Sequence, residues 1–126
     1  MISDLEPYDA DGALNVENIK KTMEFMAQCG VEEKIIVHCK QAGFCYDVPT
    51  RTFTAVPSLD IPESEICGSV GAGDAFCAGS LYGIYNGFDD KRILEFAAAA
   101  AACSLFAVNS TDGMKSKSEI LKLLEN

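Results

Sequence analysis

Positive charge is scarce in this sequence: 10 Lys+Arg stand against 19 Asp+Glu in 126 residues, a formal net charge of −9. A surface so poor in cations cannot neutralise a run of phosphates, which argues against nucleic acid and anionic membranes as partners. Any phosphorylated ligand must then be held by backbone N–H groups, a helix terminus or a metal. Histidine is represented by His38 alone, and none of the six cysteines forms a C-x-x-C pair, so zinc ligands of the usual spacing are missing. The most apolar stretch, Phe96 to Val108, is broken by Ser104 and falls short of the roughly 20 residues that a bilayer requires. No basic, leader-like segment opens the chain, and no internal repeat is visible. Several cysteines lie within apolar runs, where a free thiol acts as a small hydrophobe. These absences predict a protein of the reducing cytoplasm.

What is present is the balance of a folded domain, with 48% hydrophobic and 23% charged residues. Met1 to Leu14 is acidic and turn-rich. Asn15 is placed to cap a helix through Cys29, with Val16, Ile19, Met23 and Met26 at helical spacing as a core stripe and Gly30 as its stop. Lys34 to Cys39 has strand length, Gln41 to Gly43 should turn the chain, and Phe44 to Val48 and Thr52 to Val56 should follow as strands. Pro57 to Pro62 reads as a loop, and Glu65 to Cys67 as a last short strand. A helix is expected from Gly71 to Asn86, stopped by Gly87, and another from Lys91 to about Ala107, capped by Asp89 and Asp90. Asn109 to Gly113 should turn, and Ser116-x-x-Glu119 is a capping box before a short terminal helix. A helix, then strands, then a helical block suggests part of a layered α/β sheet covered by helices, one end of something larger.

Chemistry concentrates at Gly71-Ala72-Gly73-Asp74, where the extended segment is expected to give way to a helix. Gly71, Ala72 and Gly73 have almost no side chains, so a ligand can approach the backbone. The first amides of a helix lack intrahelical partners and its dipole favours negative charge, which makes a phosphate site without a lysine. Asp74, in the first turn, can accept a proton from a hydroxyl held nearby. An anion cradle beside a base is what phosphoryl transfer needs. The competing reading is that the glycines serve a tight turn and Asp74 only complements the dipole. Chance places this tetrapeptide in a chain of this length roughly a few times per thousand, and its position at the junction favours a functional role. Ala75, Gly79 and Gly83 continue the small residues and should let this helix pack closely on its neighbour.

The segment Gly71 to Gly79 (GAGDAFCAG) resembles the C-terminal signature of the ribokinase-like (PfkB) carbohydrate kinases, D-T-x-G-A-G-D-x-F-x-x-G. Phe96 to Ala102 resembles that family's alanine-rich helix beside the nucleotide, and Val31 to Gly43 its strand and glycine turn near ATP. The resemblance implies the C-terminal part of a Rossmann-like three-layer α/β/α fold, with residues 1–14 as an irregular lead-in and 15–126 as the nucleotide-binding part. It implies an ATP- and Mg²⁺-dependent kinase acting on a sugar, nucleoside or similar alcohol. Matched by motif, Asp74 is the base and the amides of Gly71 to Gly73 are the anion hole. Lys40, Gly43 and Ala98 fall at nucleotide-side positions, and Glu6 at the metal-assisting glutamate of an Asn-x-x-Glu motif.

The match has departures. Gly68 stands where the family has an aspartate, Lys40 at the first glycine of the turn, Ala98 at a polar position and Ser3 at the asparagine. Family members are well over twice as long, and their sugar-binding half has no counterpart here. A lone chain of this kind is expected to bind nucleotide weakly, to turn over no sugar, and to expose apolar edges that invite self-association. A different class stays open: a non-catalytic nucleotide-binding or interaction module of the same fold.

Other residues carry blander expectations. His38 reads as a core or strand-end histidine within reach of the nucleotide. No base neighbours Cys67 or Cys77 in sequence, which argues against a thiol nucleophile. Asp9, Asp11 and Glu17 lack the spacing of a calcium loop and read as solvated.

Overall fold

A computed structural model describes residues 5–109 and 112–125. The chain folds as helix α1 (Val16–Gln28), strands β1 (Lys34–His38), β2 (Ala42–Asp47) and β3 (Thr52–Pro57), then helices α2 (Ala72–Tyr85), α3 (Asp90–Ser104) and α4 (Lys117–Glu125). Three of the helix starts follow from local chemistry. The Asn15 side chain accepts from Asn18 N at 2.9 Å and the Asp89 side chain from Arg92 N at 2.8 Å. Ser116 and Glu119 exchange bonds as a capping box. Each such cap contributes about 1 kcal/mol by satisfying an amide the helix leaves unpaired. Gly30 (φ +121°) and Gly87 (φ +72°) follow α1 and α2 in a backbone region closed to most side chains.

The strands form one antiparallel meander in the order β1-β2-β3. Alternation along each strand divides the side chains between two faces. Ile35, Phe44, Tyr46 and Phe53 pack with Ile19 and Met23 of α1. Ile36, Cys45 and Val56 pack with Phe76 of α2 and Leu94, Ala97, Ala98 and Ala101 of α3. Helix, sheet and helix therefore make three layers, as the sequence implied. α4 closes the far side of α3 by burying Ile120 against Phe96, Ala99, Ala100 and Cys103.

Four sequence expectations need correction. The turn expected at Gln41 to Gly43 lies earlier, at Cys39 to Gln41, because Ala42 and Gly43 belong to β2 and Gly43 pairs with His38. Glu65 to Cys67 forms no strand: a 3₁₀ turn occupies Glu63–Glu65, and the Cys67 amide donates to the Leu105 carbonyl at 2.8 Å. That bond also helps explain why α3 ends at Ser104 and not near Ala107, since the connecting loop takes a carbonyl just past its last turn. Finally, Met26 and Val16 are exposed while Met23 is fully buried. The stripe on the sheet is Ile19, Met23 and Ala27, spaced by four.

The α2–α3 crossing brings the two helix backbones close together. A Cβ on Gly79 would stand 2.9 Å from Ala97 Cα, and one on Gly83 3.2 Å from Ile93 Cγ1. Alanine fills positions 97–102 of α3, where both faces of the helix are covered, with Ala97 and Ala99 fully buried. Near the other end of the sheet, the Lys34 ammonium bridges Asp47 of β2, at 2.8 Å, and Asp90 at the start of α3. Burial opposes the charge on Lys34, but the two carboxylates outweigh it and hold the ammonium above the ordinary lysine value.

Gly79→Val should cost about 1–3 kcal/mol in urea denaturation, the usual penalty of over-packing. Gly73→Ala, whose methyl meets nothing within 4 Å, should leave stability unchanged or slightly raised.

The hydrogen bond from Lys34, and next those from Thr50, hold the Asp47 carboxyl below its ordinary value of 3.8. A carboxyl depressed on folding adds stability that is complete above the ordinary value and disappears as pH falls through the folded one. Unfolding midpoints of wild type and Asp47→Asn should therefore differ at neutral pH and converge in acid.

Candidate active site

A cleft of about 930 Å³ opens where the β1–β2 turn, the loop after β3, the start of α2 and the flank of α3 meet. His38, Lys40 and Gln41 form one wall, and Ser58 to Ile61 another. The floor is apolar, made by Ala98, Ala101, Ala102 and Leu105 of α3 together with Ile66. Ser69 and Ala72 bring the cleft up to the first residue of α2. An apolar cavity of this size with a few polar groups at its rim is the usual form of a small-molecule site. Lys40 is the one cation among the lining residues and Asp60 the one carboxylate, so the cleft carries little net charge of its own.

The start of α2 supplies the donors. Gly71 is the N-cap residue with φ +88°, a left-handed backbone that glycine adopts freely. No side chain caps this helix, in contrast to α1 and α3. Of the three amides expected to hold an anion, Gly71 to Gly73, that of Ala72 instead turns back to the Ser69 carbonyl at 3.3 Å, while those of Gly73 and Asp74 are first-turn groups without intrahelical partners. Gly73 is exposed and open space surrounds its α-carbon. Asp74 follows as an exposed carboxylate that makes no hydrogen bond or ion pair among the described residues. A cradle of amides, an unpartnered acid and an apolar cleft are thus contiguous.

The residues singled out from sequence divide accordingly. Ala72, Lys40 and Ala98 line the cleft; Gly71, Gly73 and Asp74 neighbour Ala72 at the start of α2 and are not part of its lining. Gly43 is buried within β2 against the Phe76 ring and does not face the cleft. Glu6 is exposed in the lead-in, its carbonyl bound by Asn18 Nδ2, and is not brought to the cleft. Ser3 lies outside the described residues. Asp9 and Asp11 accept from Asn15 and from the Ala13 amide, which makes them turn residues. His38 joins both of its expected settings, closing β1 and lining the cleft; burial lowers its pKa below the ordinary 6.5, so the ring is neutral at physiological pH.

Sequence reasoning missed Ser58 to Ile61 and Ile66 as walls. The two prolines bracketing the first of these signalled a loop but nothing about what it faces. Cys45, which shares the buried layer beneath α3, has its thiol pushed up to about 12 by burial and by Asp90, and it is inert at neutral pH.

No group of three or more metal-ligating side chains gathers among the described residues. The amides and the cleft suit a nucleotide, whereas a divalent ion here would depend mainly on phosphate oxygens for its ligands. No helix among the described residues is long and apolar enough to cross a membrane.

The layered fold is shared with proteins of known structure. Ribokinase from Arabidopsis thaliana, solved with ribose and ATP, superimposes on this chain with a TM-score of 0.74 at 23% identity, covering 89% of this chain and 35% of that one. The fold is therefore that of the ribokinase-like enzymes. Residues 9–117 match the family described as pfkB family carbohydrate kinase, and the chain belongs to that family. Similar relatives are the 5-dehydro-2-deoxygluconokinases of Listeria innocua, 28% identical over 86% of this chain, and of Shouchella clausii, 26% identical over 99%. The chain spans about a third of their length, 32% and 37% respectively.

Proposed function

We propose that this chain is the ATP-side part of a carbohydrate kinase, which holds the donor nucleotide and supplies the base for phosphoryl transfer to a hydroxyl of a sugar or related alcohol. The observation that carries the reading is the unpartnered Asp74 carboxylate beside the uncapped amides of α2, at the mouth of the apolar cleft. ATP would supply the transferable phosphoryl group, with Mg²⁺ offsetting the charge of its phosphates. The floor of Ala98, Ala101 and Ala102 has the flat, apolar character that receives a base. Lys40 stands at the rim as a point charge for a phosphate. The amides of Gly71, Gly73 and Asp74 face the developing negative charge with dipoles fixed by the helix, which need no reorganisation during transfer. Asp74 orients the acceptor hydroxyl and takes its proton as the new oxygen–phosphorus bond forms.

Several observations support this reading: the family match, the relatives named as 5-dehydro-2-deoxygluconokinases, and the ATP and ribose bound by the Arabidopsis ribokinase. The relatives' names make a keto sugar acid a natural acceptor to assay, beside pentoses and nucleosides. The same reading places the protein in the cytoplasm. About two thirds of the relatives' length lies outside this chain, and the acceptor pocket belongs to that portion. Taken alone the chain binds nucleotide weakly and turns over no acceptor. Its exposed outer face of α2, with Leu81 and Tyr85 at 62% and 91% exposure, is then a surface for the remainder or for a second copy.

MgATP titrated into the 126-residue chain should move the amide resonances of Gly71, Gly73 and Asp74 together with those of Ala98 and Ala101, and Asp74→Asn should leave that binding nearly intact. In a full-length kinase carrying this segment the same substitution should lower kcat by about 10²–10⁴-fold with the KM for ATP little changed, the range lost with a general base. Unchanged turnover would remove the base role. Binding without any acceptor-dependent turnover in the full-length protein would favour the nucleotide-binding module instead.

A further inference from the structure

The start of α2 has no capping side chain, so something else must hold its amides where a ligand meets them. Phe76, one helical turn beyond Ala72 and only 3% exposed, is the side chain that carries α2 onto the sheet. Its ring lies flat on the imidazole of His38, with centroids 4.1 Å apart and planes 7° from parallel. On β2, directly opposite His38 in the ladder, stands Gly43. A Cβ there would be 2.6 Å from Phe76 Cζ and 3.0 Å from Cε2, so the ring occupies the space a side chain would fill. Gly43 is therefore a glycine for steric reasons and not for its backbone conformation.

The rings of His38 and Phe76 join the two sides of the cleft. His38 precedes by two residues Lys40 on one wall, and Phe76 follows by four Ala72 on the other. Gly79 and Gly83 fix the lower half of α2 against α3, which leaves Phe76 as the large buried side chain nearest the amides. From this geometry we infer that His38, Phe76 and Gly43 form a clamp that sets the position of the amide cradle, and that His38 is a positioning residue for the nucleotide. The inference rests on the nucleotide reading given above and adds to it the residue that orients the site. What the clamp requires of His38 is a flat ring able to stack.

The test uses the 126-residue chain and MgATP as the probe. His38→Ala should weaken MgATP binding by roughly two- to tenfold, the span of one stacked aromatic pair. It should also displace the amide resonances of Gly71, Gly73 and Asp74 in the free protein. His38→Phe, which keeps a stacking ring without the imidazole nitrogens, should restore both. Gly43→Ala, which pushes the Phe76 ring aside, should act in the same direction as His38→Ala. The clamp is overturned if His38→Ala leaves affinity and amide resonances as in wild type, or if His38→Phe rescues neither. Should wild type fail to bind MgATP, the nucleotide reading falls by itself. The clamp is then judged on the free-protein amides alone, which His38→Ala must move and His38→Phe return.

Discussion

Where α2 crosses α3, the two backbones approach until a single methyl group on Gly79 would meet the α-carbon of Ala97. Larger side chains on either helix would part them, and the alanine face of α3 would no longer be available to form the floor of the cleft. The cleft therefore depends on small residues twice over. They allow the helices to close, and they leave on the other flank of α3 an apolar surface at the right depth. Packing of this density leaves little room for adjustment, so the second half of α2 is positioned by the same crossing that builds the core.

Charge is distributed to match. The protein is strongly acidic, and its half-buried lysine, Lys34, is committed to Asp47 and Asp90 in fastening the hairpin to α3. An anion at the cleft would meet Lys40 and the helix amides, not a basic surface. Fixed dipoles can take that part because they belong to the backbone and bring no desolvation penalty of a buried counter-charge. Asp74 can remain unpaired beside them because it is exposed to water.

The division between what was and was not readable in advance follows the range of the interactions. Asn15, Asp89 and the Ser116–Glu119 box announced their helices because a cap acts within three residues. The small residues at Ala75, Gly79 and Gly83 announced a close helix contact, and the structure shows one. The glycine-rich segment carried the family likeness, which the match over residues 9–117 bears out. Met26 misled because it shares the helical period of Met23 yet lies off the face that meets the sheet. Glu65 to Cys67 misled because a strand needs a partner strand, and here the Cys67 amide donates instead to the carbonyl of Leu105.

By itself, the sequence determined most of the local elements, the layered architecture and the family likeness, since each depends on neighbours along the chain or on periodicity. Only the tertiary structure decided that Gly43 serves a ring arriving from α2, that His38 faces both that ring and the cleft, and that the loop after β3 closes a wall. Those facts depend on residues tens of positions apart meeting at van der Waals distance. Contacts of that kind leave no mark on the sequence near any one of them.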